Sequence, residues 1–192
     1  MTKRSLHLDP LALPGAFRIL APRFSDARGY FEVAYNRRDL AAAGLSTDFI
    51  QDNQSLSRET GTVRGLHYQL PPFQQAKLVR VLTGRILDVM VDARTGSPTY
   101  GQHCAIELDA EDGTQVFVPR GFLHGFVTRE PDTVVLYKVD NDYAPGHDRS
   151  LVWNDPDLNI DWGISAGEAV LSDKDRAAGS WADFASPFSY QD

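Results

Sequence analysis

Between Val63 and Lys77 the chain reads V-R-G-L-H-Y-Q-L-P-P-F-Q-Q-A-K, which brings Arg64, His67, Gln69 and Lys77 into one short span. Histidine has the unperturbed pKa nearest the working pH of a general base. Arg64 and Lys77 are unfavourable inside a small barrel unless they are paired or meet an anion. Two cations beside a histidine therefore point to an anionic ligand or to negative charge that develops during a reaction. A core histidine bonded to backbone is the plainer alternative for His67 alone. Strand alternation predicts Arg64 and Leu66 on one face and Gly65, His67 and Gln69 on the other. Pro71 and Pro72 should end this strand, because proline cannot donate to a ladder and restricts its predecessor. Lys77 then opens a second apolar strand.

Other residues share this ambiguity. His124 lies in P-R-G-F-L-H-G-F and either packs beneath a turn or serves a site. Imidazole suits zinc and iron, but a metal-binding double-stranded β-helix usually offers His-x-His followed by a carboxylate. Here Tyr68 and Gln69 follow His67, and His103 and His147 lack ligand-like spacing, so no metal is expected. Tyr137, in V-V-L-Y-K, is a packing residue or a proton donor. Tyr143, in N-D-Y-A-P, is placed to stack on a base or ring. Asp175 is three residues after Ser172, which fits a capping box; a carboxylate orienting a histidine fits equally. The chain has no Gly-rich phosphate loop and no Gly-x-Ser-x-Gly elbow.

The elements that position these groups are read as mostly strands. Short apolar runs at Phe17–Leu20, Phe49–Ser57, Val63–Gln69, Lys77–Thr83, Ile86–Asp92, Gln102–Leu108, Thr114–Val118, Leu123–Thr128 and Thr133–Val139 alternate with Gly, Pro, Asp and Ser turns. That rhythm predicts a sandwich or small barrel. A turn and strand follow Phe24. Asn36 and Gly44 bracket one short helix over Arg37–Ala43, and Ser172 starts a second helical turn. Residues 1–15 read as an extended lead-in, and Trp153 and Trp162 predict that the tail packs down.

The whole chain, 1–192, is read as a single domain of ample size to bury a core. A net charge of −7 argues against grip on nucleic acid phosphates. The lone Cys104 excludes an intrachain disulfide. No apolar run approaches a bilayer span or a signal peptide, so a soluble cytoplasmic protein is expected.

Taken together, the motifs resemble the dTDP-4-dehydrorhamnose 3,5-epimerase family of nucleotide-sugar epimerases. They include F-x-D-x-R-G-x-F (Phe24 to Phe31), Q-D-N-Q-S, R-G-L-H-Y-Q, G-R-I-L-D-V-M-V-D, V-P-R-G-F-L-H-G-F, L-Y-K and S-D-K-D. The resemblance implies an all-β, cupin-type jelly roll with a few short helices, no metal or other cofactor, and a homodimer with exchanged strands. It implies epimerisation at C3 and C5 of dTDP-4-dehydro-6-deoxy-D-glucose through enolates. A single-centre epimerase or a non-catalytic sugar-nucleotide binder is the alternative. In this scheme His67 is the base and Asp175 its orienting partner; Lys77 stabilises the enolate and Tyr137 is the opposing acid. Arg64, Gln51, Asn53 and His124 line the sugar and diphosphate region, Arg28 and Phe31 are lent by a neighbouring subunit, and Tyr143 faces the base. Two departures stand out: Glu32 follows Phe31 directly, with Val33 in the family's glutamate position, and Asp142 precedes Tyr143.

Overall fold

In a computed structural model, residues 6–190 are described; the first five residues of the expected lead-in lie outside them. The strands are β1 (His7–Pro10), β2 (Phe17–Leu20), β3 (Arg23–Asp26), β4 (Gly29–Glu32), β5 (Gln51–Ser57), β6 (Val63–Gln69), β7 (Lys77–Thr83), β8 (Arg85–Asp92), β9 (Arg94–Thr95), β10 (His103–Asp109), β11 (Thr114–Val118), β12 (Phe122–Thr128), β13 (Thr133–Val139), β14 (Asp148–Ser150) and β15 (Phe188–Ser189). The helices are α1 (Arg37–Ala42) and α2 (Asp173–Arg176). A six-stranded sheet in the order β1-β2-β11-β7-β13-β5 faces a five-stranded sheet in the order β10-β8-β12-β6-β14. Neighbouring strands in both are antiparallel. This is the expected jelly roll.

Period-two alternation decides what lies between the sheets. Val79, Val81, Val116 and Val135 from one sheet meet Ile86, Met90, Phe122 and Phe126 from the other. The outer face of the five-stranded sheet is also buried. Leu87, Val89, Val91, Leu123 and Val127 lie under Trp153, Leu158 and Trp162 of the tail. A strand covered on both faces must be apolar at nearly every position, which is why β8 reads I-L-D-V-M-V-D. Trp162 is 2% exposed, and its indole N–H donates to the Trp153 carbonyl at 2.7 Å. The tail thus packs down as its tryptophans predict. On the far side, α1 buries Leu40 beside Leu78 and Phe117, with Asn36 accepting from the backbone of Arg38 and Asp39 at its N-terminus.

Simple alternation fails in β6. On β12, His124 pairs with His67 and Phe126 with Arg64, so three steps of β6 run beside two of β12. The extra residue turns Arg64 to the same side as His67 and sends Leu66 outward to the tail-covered core. The expected separation of Arg64 from His67 is therefore corrected. Two glycines allow it. Gly65 has φ of +135°, and a Cβ there would lie 2.5 Å from the Gly125 Cα and 2.8 Å from the His124 carbonyl oxygen. Within the described part of the extended lead-in, residues 7–10 pair with β2 as an edge strand.

Candidate active site

The sheets enclose a cavity of about 150 Å³ lined by Ser55, Arg64, His67, Lys77, Val79, His124, Phe126 and Tyr137. It shares His67, Lys77 and Tyr137 with a larger space of about 250 Å³ that also touches Gln51, Asn53, Tyr143, Asp148 and Lys174. Nine of the residues singled out in the sequence thus converge on one site or its mouth, from β5, β6, β7, β12, β13 and the loop after β13.

His67 projects from β6, and its Nε2 meets Asp175 Oδ1 at 2.5 Å. Asp175 is 3% exposed. Its spacing from Ser172 also places it at the helix cap. Its backbone N–H donates to Ser172 Oγ at 3.1 Å as the helix cap, while Ser172 Oγ donates to its Oδ2 at 2.7 Å. Burial pushes its carboxyl up, but hydrogen bonds from His67 and Ser172 outweigh burial and hold it below the ordinary carboxylate value. An ionised Asp175 fixes the ring so that the remaining nitrogen, Nδ1, is free to take a proton.

Lys77 begins β7 and points between the sheets. Its Nζ lies 3.4 Å from His124 Nδ1. The other ring nitrogen of His124, Nε2, is 2.8 Å from Asp88 Oδ2. The sequence reading did not single out Asp88, although a carboxylate flanked by apolar residues in I-L-D-V-M was the available signal. It is fully buried, so it has to be paired. With Nε2–H donating to Asp88, Nδ1 of His124 accepts from Lys77 and aims the ammonium. Burial lowers Lys77 to about 8, against the pull of Asp88 and Asp148 upward. Burial likewise lowers His124, so the ring stays neutral.

Tyr137 lies on β13, and burial raises its phenol above the ordinary value. It keeps its proton at neutral pH and can donate it. Arg64 Nε donates to Ser57 Oγ at 3.1 Å and its Nη2 to the Leu56 carbonyl at 3.2 Å, which ties the guanidinium to β5. Gln51 Nε2 donates to Asn53 Oδ1 at 2.8 Å on the cavity side of that strand. Tyr143 is 57% exposed at the mouth.

Two expected residues do not join the site within one chain. Arg28 pairs with Asp26 at 2.6 Å, and Phe31 is 67% exposed, both on the β3–β4 hairpin. Glu32 turns inward to Arg23, at 2.8 Å, and to Arg80.

This arrangement sets a fixed imidazole, a half-buried lysine and a neutral phenol around one small volume. Such a set suits proton removal next to a carbonyl, with the charge held on oxygen.

Comparison with known proteins agrees. Residues 10–183 match the family model described as dTDP-4-dehydrorhamnose 3,5-epimerase. A protein of that name from Sinorhizobium fredii is 47% identical over 178 residues, covering 90% of this chain and 89% of the relative. The crystal structure of a dTDP-6-deoxy-D-glucose-3,5-epimerase from Legionella pneumophila, in complex with dTDP-4-keto-L-rhamnose, superposes with a TM-score of 0.90 at 35% identity, covering 97% of this chain and 100% of that one. A 3'-monoepimerase from Streptomyces bikiniensis, in complex with dTDP-quinovose, superposes with a TM-score of 0.83 at 35% identity, covering 90% and 87%.

Proposed function

The chain belongs to the dTDP-4-dehydrorhamnose 3,5-epimerase family, and on that premise we propose how its residues carry the reaction. The enzyme inverts C3 and C5 of dTDP-4-dehydro-6-deoxy-D-glucose to give dTDP-4-dehydro-L-rhamnose, a step of dTDP-L-rhamnose biosynthesis. Both carbons lie α to the C4 carbonyl, so loss of either proton gives an enolate whose charge sits largely on the C4 oxygen.

His67 removes the proton, with Asp175 orienting the ring and stabilising the imidazolium that forms. Lys77, aimed by the Asp88–His124 pair, faces the enolate oxygen. A preorganised charge of this kind is usually the largest catalytic contribution. Tyr137 returns a proton from the opposite face, which inverts the centre. Arg64, Gln51, Asn53 and His124 hold the sugar and diphosphate, and Tyr143 faces the base. The observation that carries this reading is the convergence of the His67–Asp175 pair and Lys77 on one cavity. Proton transfer at an activated carbon needs no redox group.

The same reading includes a homodimer. The β3–β4 hairpin exposes Phe24, Tyr30 and Phe31 beside Arg28, and a second copy's mouth is their proposed destination. One domain is proposed for the whole chain, supported by the tail's burial against the five-stranded sheet. A cytoplasmic location is proposed from the nucleotide-sugar substrate. Among the described residues, no helix is long and apolar enough to cross a membrane.

Product stereochemistry tests the assignment. NMR of the product formed from dTDP-4-dehydro-6-deoxyglucose should show inversion at both C3 and C5. Inversion at one centre alone would replace the assignment with a monoepimerase.

A further inference from the structure

The cavity mouth holds a carboxylate that takes no direct part in the proton transfers, although its charge helps to keep Lys77 protonated. Asp148 lies on β14 opposite Gln69, two residues before Ser150, the partner of His67. Its Oδ2 accepts from two side chains: Tyr143 Oη at 3.1 Å and Lys174 Nζ. Lys174 immediately precedes Asp175 in α2, and Asp175 holds His67. One oxygen thus links the aromatic at the mouth to the helix that carries the histidine's partner.

Two physical points make this link consequential. First, α2 is a single four-residue turn. So short a helix has no stability of its own, and its position depends on the Ser172 cap and on contacts such as Lys174 with Asp148. Second, Asp148 and Lys174 both line the space into which an anionic nucleotide sugar must enter. A bare carboxylate there repels a diphosphate; the lysine cancels it.

We propose that Asp148 is a positioning residue. Through Lys174 it holds Asp175 in line with His67, and through Tyr143 it sets the ring at the mouth, so binding and proton transfer share one anchor. The inference rests on the epimerase reading given above. Wild-type turnover, measured in the same assay, tests that reading separately.

The test is a double-mutant cycle on the full chain, with kcat and KM read for dTDP-4-dehydro-6-deoxyglucose and thermal unfolding followed in parallel. Asp148→Asn and Lys174→Met should each lower kcat/KM about tenfold, with kcat falling as well as KM rising. The double variant should also lie about tenfold down, where independent residues would give about a hundredfold. Asp148→Glu, which keeps the charge, should stay within about threefold of wild type. Additive losses, a defect confined to KM, or an Asp148→Glu variant as impaired as Asp148→Asn would overturn the proposal. If Asp148→Asn unfolds early, the Lys174→Met and Tyr143→Phe pair replaces it, because both side chains bond the same Asp148 oxygen. Non-additivity there supports the anchor, and additivity overturns it.

Discussion

His67 sits at the meeting point of strand geometry and charge. Asp175, 2.5 Å from its Nε2, leaves the opposite ring nitrogen as the only one free to act. Asparagine at this position keeps the size and loses the base. His67→Asn should lower kcat by about 10²–10⁴-fold with an unchanged unfolding midpoint; near-normal turnover would remove the histidine from the mechanism. Lys77 makes a prediction about pH. Burial lowers its ammonium to about 8, and the enolate needs the charged form. A lowered cation loses its charge on the alkaline side, so the alkaline limb of kcat/KM should turn near pH 8 and fall about tenfold per unit above it. The pH–rate profile checks this, and Lys77→Gln should abolish the limb together with most of the activity. His124, Asp88 and Asp148 explain why a lysine survives in such a place. Asp88 and Asp148 oppose the burial that lowers it, and His124 offers its nitrogen at 3.4 Å.

At the scale of elements, the β6–β12 ladder matters most. The additional residue in β6 brings Arg64 round to His67, and it depends on the absence of a side chain at Gly65. Gly65→Ala would press a Cβ to 2.5 Å from the Gly125 Cα, at φ of +135°. The expected result is destabilisation by about 1–3 kcal/mol in urea unfolding, with a rise in KM as Arg64 is displaced. Most strands were legible because apolar runs between turn residues have few other uses; β6, β7, β11 and β13 fall where the pattern puts them. The irregularity was not legible, because alternation carries no sign of which strand holds an extra residue. β14 was hidden for another reason. Its three residues, Asp148-Arg149-Ser150, are all polar, and they pair with β6 only because the tail folds back there. Among the site residues, His67, Lys77 and Tyr137 stood out by type and spacing. Asp88, Asp148 and Lys174 did not, since their roles come from contacts distant in the chain.

At the scale of the molecule, the C-terminal tail serves the site from behind. Trp162 lies against the strand that carries His124, and its ring would be 3.4 Å from a Cβ on Gly125. The tail then continues to α2 and delivers Asp175. Trp162→Ala should cost about 3–5 kcal/mol of stability, read as an earlier denaturation midpoint. Activity should fall with it, because the tail holds half of the base pair. If the midpoint held and turnover were untouched, the tail would be a passive cover. The hairpin shows the opposite arrangement, with motif residues such as Phe31 left in solvent by their own chain.

The proposed mechanism forms enolates at two carbons with one base. It is tested most directly by incubating the protein with dTDP-4-dehydro-6-deoxyglucose in deuterated water and following C3 and C5 by NMR. The prediction is deuterium at both positions in the wild type and at neither above the enzyme-free rate in His67→Asn. Incorporation at one carbon alone, or unchanged incorporation without His67, would contradict it.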